Sequence, residues 1–336
     1  MYDPSGLYVD PILTGFSVGY QPQTLIGEKL FPLTTVRTPS GKYRVFDRSH
    51  WLIYPDVRAP GTVANEVVGR KWSEDVFRVK EHSLQSPIYD EEREYLNSQG
   101  GLADDAQSGD LDIEPERDAA ETVMDSILLR HEKLVADTIR NTANYAGNHQ
   151  VTLAGASRWD DYTGGTSSTS DPVANLKTAV MRIRIDTGRW PNTVVFPFDS
   201  IGVIEGHPRV VDRFKNFALT DPEAWKKLLN VPAPENFYIA DSSINTADNI
   251  YAAESISSLW GTDVWVGIVD PQPGQRTKTF GKTFQFPYAN GDTRPTEKWR
   301  EEPRKSDLVR ASWRYDTKIV SASAGYIIKT AVTALV

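Results

Sequence analysis

Apolar side chains recur with helical spacing between residues 112 and 147, and this is the clearest pattern in the chain. They form one stripe at spacings of three, four and seven, made of Val123, Met124, Ile127, Leu128, Leu134, Val135 and Ile139. Asp112 or Glu114 can cap the start, Pro115 suits the first turn, and Gly147 can end the helix. The pattern predicts a helix over 113–146, roughly 45 Å long at about 1.5 Å per residue, which is typical of the spine of an extended subunit.

Two partly alternating segments, 42–48 and 74–81, indicate the strands of a long hairpin. Prolines and glycines interrupt the chain between them. Neither segment carries an apolar face wide enough to form a core of its own, and an isolated two-stranded ribbon is only marginally stable in water. We therefore expect the hairpin to lie on another part of this chain or on a neighbouring copy.

Weaker patterns predict the remaining elements. Residues 1–35 show no sustained period and are interpreted as an extended arm that contains Leu30-Phe31-Pro32. Asp171-Pro172 has the capping signal of a second helix, which Gly188 ends. Short helices are predicted at 199–205 and 221–230, and strands at 193–196, 236–240, 264–269, 308–315 and 317–329.

The composition excludes several classes of protein. With 336 residues, of which 39% are hydrophobic, the chain is long enough for a packed core, so global disorder is excluded. The absence of cysteine excludes disulfides, thiolate zinc sites, iron–sulfur clusters and cysteine nucleophiles. No apolar run reaches the roughly 18–20 residues of a membrane-spanning helix, and the N-terminus has no signal-peptide pattern.

The charge is distributed unevenly along the chain. The net charge is −8, but residues 36–80 hold nine Lys or Arg against five Asp or Glu, whereas residues 81–118 hold two against twelve. One interpretation is a pair of solvated surfaces. The other is self-complementarity, in which the basic segment of one copy lies on the acidic segment of another. The acidic total disfavours sequence-neutral binding to nucleic acid.

The search for catalytic and cofactor motifs is mostly negative. Gly281-Lys282-Thr283 lacks the glycine that a phosphate-binding loop has five positions earlier. His131-Glu132 resembles the start of a zinc-protease helix, but Val135 stands where the second histidine belongs, so His131 is interpreted as a polar helix position. Acidic residues between 104 and 112 lack the spacing of a calcium loop. We predict neither an enzyme nor a cofactor, while glycan binding through the many tryptophans stays open.

Four stretches, taken in order, resemble the major capsid proteins of tailed bacteriophages, which have the Hong Kong ninety-seven type fold that encapsulin shells also use. Each stretch is weak alone, but their order covers nearly the whole chain. The stretches are Leu30-Phe31-Pro32 with Gly41-Lys42-Tyr43-Arg44-Val45-Phe46-Asp47, then Glu132-Lys133-Leu134-Val135-Ala136-Asp137, then Pro191-Asn192-Thr193-Val194-Val195-Phe196 with His207-Pro208-Arg209, and finally Leu259-Trp260-Gly261-Thr262-Asp263-Val264 with Gly281-Lys282-Thr283-Phe284 and Gly325-Tyr326-Ile327-Ile328.

This resemblance implies an α+β fold with the parts of a capsid subunit. The expected parts are an N-terminal arm (1–35), an extended hairpin loop (36–82), a peripheral domain with the spine helix (83–188, helix 113–146), an axial domain (189–305) and strands returning to the peripheral domain (306–336). Because the chain starts close to its arm, we expect the cleaved scaffolding segment of some family members to be absent. A separate scaffolding protein is then implied.

The resemblance further implies a structural subunit that assembles in the host cytoplasm, as pentamers and hexamers, into an icosahedral virion capsid around double-stranded DNA. A portal and a decoration protein are further expected partners, and no membrane is. The alternatives are an encapsulin-like shell with protein cargo, or a glycan-binding or glycan-cleaving protein. The aromatic and charged residues expected at subunit interfaces are Phe31, Arg37, Lys42, Tyr43, Arg44, Phe46, Arg48, Trp51, Tyr54, Arg58, Trp72, Asp90, Glu91, Glu92, Asp104 and Asp105.

Overall fold

The structure is a computed structural model of the chain. The residues it describes are 8–9, 25–46, 53–54, 56–58, 60–61, 63–64, 66, 72–91, 94, 115–162, 169–213, 234–247, 253–272 and 278–333. Within these residues, no helix combines the length and the apolar character that crossing a bilayer requires.

The described elements mix helix and sheet. The helices are α1 (Gly27–Leu30), α2 (Pro115–Arg140), α3 (Pro172–Thr187), α4 (Phe198–Gly206) and α5 (Pro208–Arg213). The strands are β1 (Tyr8–Val9), β2 (Leu33–Thr35), β3 (Ser40–Phe46), β4 (Trp72–Arg78), β5 (Lys80–Tyr89), β6 (Gln150–Thr152), β7 (Thr193–Pro197), β8 (Asn236–Ala240), β9 (Ser243–Asn245), β10 (Ile256–Ser258), β11 (Val264–Gly267), β12 (Gly281–Gln285), β13 (Thr296–Glu301), β14 (Ser306–Ile319) and β15 (Gly325–Lys329).

The first sheet is organised around the long strand β14. Its order is β1-β13-β14-β12-β2, and β5 pairs antiparallel with β14 along the other side. Helix α2 lies against this sheet because its apolar stripe, which includes Met124 and Ile127, packs on Trp313 and Tyr315 of β14. The long helix and the long strand therefore support each other along much of their length.

The second sheet has the order β6-β15-β11-β7-β8 and contains the larger core. Helix α3 covers it with its buried face, which includes Leu176, Val180 and Ile183. As the sequence predicts, the Asp171 side chain accepts a hydrogen bond from the Ala174 amide at the start of α3. Gly188 ends the helix in the left-handed conformation at φ 72°. The smaller sheets are two-stranded, β3–β4 and β9–β10.

Several predicted elements differ from the structure. Helix α2 ends at Arg140, six residues early, because Asn141 starts a short 3₁₀ turn. The strands predicted at 308–315 and 317–329 are one strand, β14, followed by a turn and β15. Strand β5 was missed, since its sequence alternates weakly and its partner strand is far away in sequence. The arm is not extended throughout, since the helix α1 interrupts it. The helix predicted at 221–230 lies outside the described residues.

Candidate subunit-contact surface

The β3–β4 hairpin carries the most exposed apolar side chains among the described residues. Ile53, Val57 and Val63, which lie between its strands in sequence, are 94%, 88% and 88% exposed. Trp72 and Val76 on β4 are 43% and 51% exposed. An uncovered apolar ribbon of this kind is typical of a surface that another molecule covers.

One face of the hairpin is anchored to the body of the subunit. The Phe77 ring stacks on Phe284 of β12 at a centroid distance of 4.6 Å, and the Tyr43 ring lies 5.4 Å from the same ring. The Tyr43 hydroxyl lies 2.6 Å from the Asp75 carboxylate and 2.9 Å from the Ile319 carbonyl oxygen. Burial, followed by the negative charge of Asp75, raises the pKa of Tyr43, so this hydroxyl stays protonated and donates.

The charges of the hairpin are partly neutralised within it. Lys42 donates to Glu74 at 2.7 Å, and the Arg44 guanidinium stacks 4.4 Å above the Trp72 ring. Both contacts are exposed, so each is weak. Arg37 and Arg58 are exposed as well, and the described part of the chain offers neither of them an ion-pair partner.

Some of the described acidic residues after the hairpin are paired with cations of their own chain. Arg300 binds both carboxylate oxygens of Asp90 at 2.5 Å, so the charge of Asp90 is compensated within the subunit, and its place in a subunit interface stays a prediction. Glu81 pairs with Arg314 of β14 at 2.9 Å. Glu91 is exposed and keeps its place in the predicted interface.

Phe31 lies inside the subunit, contrary to expectation. It was expected to become buried only on assembly, yet it is fully buried within the subunit, with its ring edge-on to Phe280 at 6.0 Å. Gly281 makes this possible, because a side-chain carbon there would lie 2.0 Å from the Phe31 ring. Tyr54 is half-buried. Six predicted interface residues, or their side chains, lie outside the described residues. They are Phe46, Arg48, Trp51, Glu92, Asp104 and Asp105.

A buried carboxylate that the sequence did not reveal holds the arm on the long helix. Glu132 of α2 accepts hydrogen bonds from the Ile26 amide at 3.3 Å, the Gly27 amide at 2.5 Å and the Trp260 indole N–H at 2.8 Å. Burial raises the pKa of Glu132, while these donors act in the opposite direction. Gly27 is required here, since a side-chain carbon would come within 2.6 Å of the carboxylate. No local pattern signals this contact, which we call the arm clamp.

His131 is buried rather than an exposed polar position on α2. Its Nε2 lies 3.1 Å from the Thr283 hydroxyl, and its ring packs against both Trp313 and Tyr315. Burial, together with the nearby positive charge of Arg294, lowers the pKa of His131 to about 3. The side chain is therefore neutral in the folded subunit at physiological pH.

The most enzyme-like pair among the described residues does not have the geometry of a nucleophile and base. Ser170 Oγ lies 3.0 Å from His207 Nε2, and both side chains are fully buried. His207 Nδ1 accepts a hydrogen bond from the Arg209 amide, so Nε2 carries the proton and donates to Ser170. Histidine in this tautomer cannot remove the serine proton. The described residues also contain no group of three or more side chains that would hold a metal ion.

The tryptophans and the phosphate-loop-like motif have structural positions. Trp159, Trp260, Trp265 and Trp313 are buried and cannot form a glycan-stacking platform. Gly281-Lys282-Thr283 lies in β12, a buried strand that pairs with β14 and β2, instead of a loop before a helix. The buried tryptophans argue against glycan stacking, and the strand position of Gly281-Lys282-Thr283 argues against a phosphate-binding loop.

Comparison with known proteins supports the capsid resemblance. No family model matches the chain. The major capsid protein of Burkholderia phage BcepMu is 26% identical over 328 residues, which cover 95% of each chain. A phage-related protein from Bordetella bronchiseptica is 25% identical with a TM-score of 0.71, covering 97% of this chain and 98% of that one. The capsid protein of cyanophage P-SCSP1u has the same fold, at 12% identity, a TM-score of 0.55 and coverage of 93% and 89%.

These likenesses extend over nearly the whole length of each protein. The chain is therefore a homologue of tailed-bacteriophage major capsid proteins and has their α+β fold.

Proposed function

We propose that this chain is the structural subunit of an icosahedral bacteriophage capsid. The observation that carries the proposal is the β3–β4 hairpin, which is anchored through one face and leaves apolar side chains such as Ile53 and Trp72 uncovered. Covering apolar surface contributes about 25 cal/mol per Å², so a few such side chains supply several kcal/mol per contact before ordering costs. Many copies then close a shell by multivalency.

The finer features of this function follow from the family resemblance. We propose pentamers and hexamers as building units, a shell that encloses double-stranded DNA, assembly in the host cytoplasm, and a separate scaffolding protein, portal and decoration protein as partners. The segment 36–82 would be the extended loop and 189–305 the axial domain. A net charge of −8 fits an inner wall that does not grip the packaged DNA.

Electron microscopy of the purified chain, together with analytical ultracentrifugation at low and high salt, tests this proposal. We expect rings of five and six subunits or closed shells. Shells whose particles contain DNA support the capsid, whereas shells filled with one protein species support the encapsulin alternative. A chain that remains monomeric in both salts, also with the scaffolding protein of its phage, contradicts the proposal.

A further inference from the structure

The outer face of the helix α3 carries a continuous row of exposed, uncharged side chains. They are Ala174, Thr178, Met181 and Ile185, at spacings of four, three and four residues. At about 100° per residue, the four fall within an arc of about 60°, on the side of the helix opposite its buried face. We call these four residues the α3 ridge.

The α3 ridge offers an apolar surface to a partner. The Thr178 hydroxyl donates to the Ala174 carbonyl oxygen at 2.8 Å, so the helix itself satisfies the one polar side chain of the ridge. Met181 and Ile185, one turn apart, are 46% and 64% exposed. Large apolar side chains that stand in a row on an exposed helix are typical of a surface that another apolar stripe covers.

Cations border the α3 ridge on both sides. Helical geometry places Lys177 and Arg184 along one side and Arg182 along the other. The one acidic side chain of the helix, Asp186, is buried, and its carboxylate lies 2.6 Å from His149 and 3.0 Å from Arg182. The exposed surface of α3 is therefore positive, although the whole chain has a net charge of −8.

A cleft of about 520 Å³ continues the α3 ridge at the C-terminal end of the helix. Its lining includes Arg184, Trp190 and Pro271, and the Arg184 guanidinium lies 5.4 Å from the centroid of the Trp190 ring. Arg184 and Arg189 outnumber Asp270, the one carboxylate in the lining. The volume falls within the about 300–1,000 Å³ of typical ligand pockets. Because Arg184 borders both features, one partner can cover the ridge and place a side chain in the cleft.

An uncharged centre with cations on both sides matches an amphipathic helix whose apolar stripe has carboxylates on both sides. Nucleic acid fits this surface poorly, because phosphates require cations where Met181 and Ile185 stand. Two copies of α3 packed face to face would place cations against cations. The charges therefore favour a second, acidic protein.

We propose that the α3 ridge and the adjoining cleft bind an acidic amphipathic helix of a second protein. The apolar stripe of that helix covers Met181 and Ile185, and its carboxylates pair with Lys177 and Arg184. The inference goes beyond the proposed function, because it concerns recognition of another protein instead of contacts among copies of this chain.

Two synthetic amphipathic helices with the same leucine stripe test the proposal on the full-length, unassembled subunit. The acidic peptide has glutamates on both sides of the stripe, and the basic peptide has lysines there. In fluorescence anisotropy at low salt, we expect the acidic peptide to bind about tenfold more tightly, with a smaller difference at high salt.

Three variants locate the binding site. Lys177→Glu with Arg184→Glu should reverse the preference between the two peptides. Ile185→Ser should weaken both peptides by a similar factor, because it removes apolar contact without changing charge. The matched control is Lys133→Glu with Arg304→Glu, which reverses one exposed lysine and one exposed arginine outside α3 and should bind like wild type. Circular dichroism should show that all variants are folded.

The outcomes separate this inference from the proposed function. Equal affinity of wild type for the two peptides overturns the inference, and so does an unchanged preference in the Lys177→Glu, Arg184→Glu variant. Loss of self-assembly in that variant but not in the control would show that a second copy covers the ridge, which also overturns it. Duplex DNA that binds wild type more tightly than the acidic peptide does would overturn it in favour of nucleic acid. The capsid function has its own test, which is whether the wild-type chain assembles.

Discussion

The arm clamp gives the sharpest prediction for stability. Glu132→Ala removes the acceptor of the Ile26 amide, the Gly27 amide and the Trp260 indole N–H, all of which are buried. A buried donor without a partner costs about 1–3 kcal/mol. Removing a buried charge offsets part of this cost. We therefore expect a net loss of about 2–5 kcal/mol in the free energy of unfolding.

Thermal unfolding followed by circular dichroism measures this loss on the unassembled subunit. For a chain of 336 residues, a loss of about 2–5 kcal/mol lowers Tm by about 3–7 °C. Hydrogen exchange should show faster exchange of the Ile26 and Gly27 amides. Glu121→Ala is the matched control, because it removes an exposed carboxylate of the same helix and should change stability by less than about 0.5 kcal/mol.

The pH dependence of wild-type stability, compared with that of Glu132→Gln, which has no titratable group at this position, provides a second check. Burial raises the pKa of Glu132 above its ordinary value of 4.5. As the pH falls, the Glu132 carboxylate is therefore protonated at a higher pH in the folded subunit than in the unfolded chain. The resulting stabilisation is complete below pH 4.5 and is lost as the pH rises through the folded pKa. The difference in stability between wild type and Glu132→Gln should therefore shrink over that interval. A Glu132→Ala subunit with wild-type Tm and unchanged amide exchange would refute the reasoning.

Three further predictions concern the core and the hairpin anchor. Because burial lowers the pKa of His131 to about 3, stability should fall as the pH drops below about 6.5, and His131→Phe should flatten this limb of a urea-denaturation profile. Gly281→Ala places a carbon 2.0 Å from the Phe31 ring and should cost about 1–3 kcal/mol in thermal melts, whereas Gly147→Ala, which meets nothing within 4 Å, should not destabilise. Phe77→Ala should abolish assembly in sedimentation runs at concentrations where wild type assembles, while leaving the main melting transition in place.

Local sequence signals are sufficient to predict elements whose ends and buried faces are set by nearby residues. The helix α3 follows directly from Asp171, which caps it, and Gly188, which ends it. The apolar stripe of α2 was equally visible, and only its end was misplaced, because Asn141 starts a tighter turn that no apolar spacing signals. Strand β5 was hidden because its exposure pattern depends on β14, more than 200 residues later.

The candidate surface was predictable only in part, for the same physical reason. Alternation predicts the hairpin, and the lack of an apolar core of its own predicts that it lies on another part of this chain or on a neighbouring copy. The sequence did not show that Phe31 packs against Phe280 or that Asp90 binds Arg300, because both contacts join segments more than 200 residues apart. A net charge summed over a segment counts every charged side chain as unpaired. In the folded subunit, ion pairs with distant segments already compensate some of these charges.

The arrangement of the hairpin also explains how one chain can be a stable subunit and still be ready to assemble. Phe77 and Tyr43 fix one face of the ribbon on β12, so its direction is set before a partner arrives and less ordering entropy is lost on contact. The opposite face has weak, exposed pairs such as Lys42 with Glu74, which cost little to break. Individually weak contacts of this kind allow misplaced subunits to dissociate, while their repetition around a closed shell makes the finished particle stable.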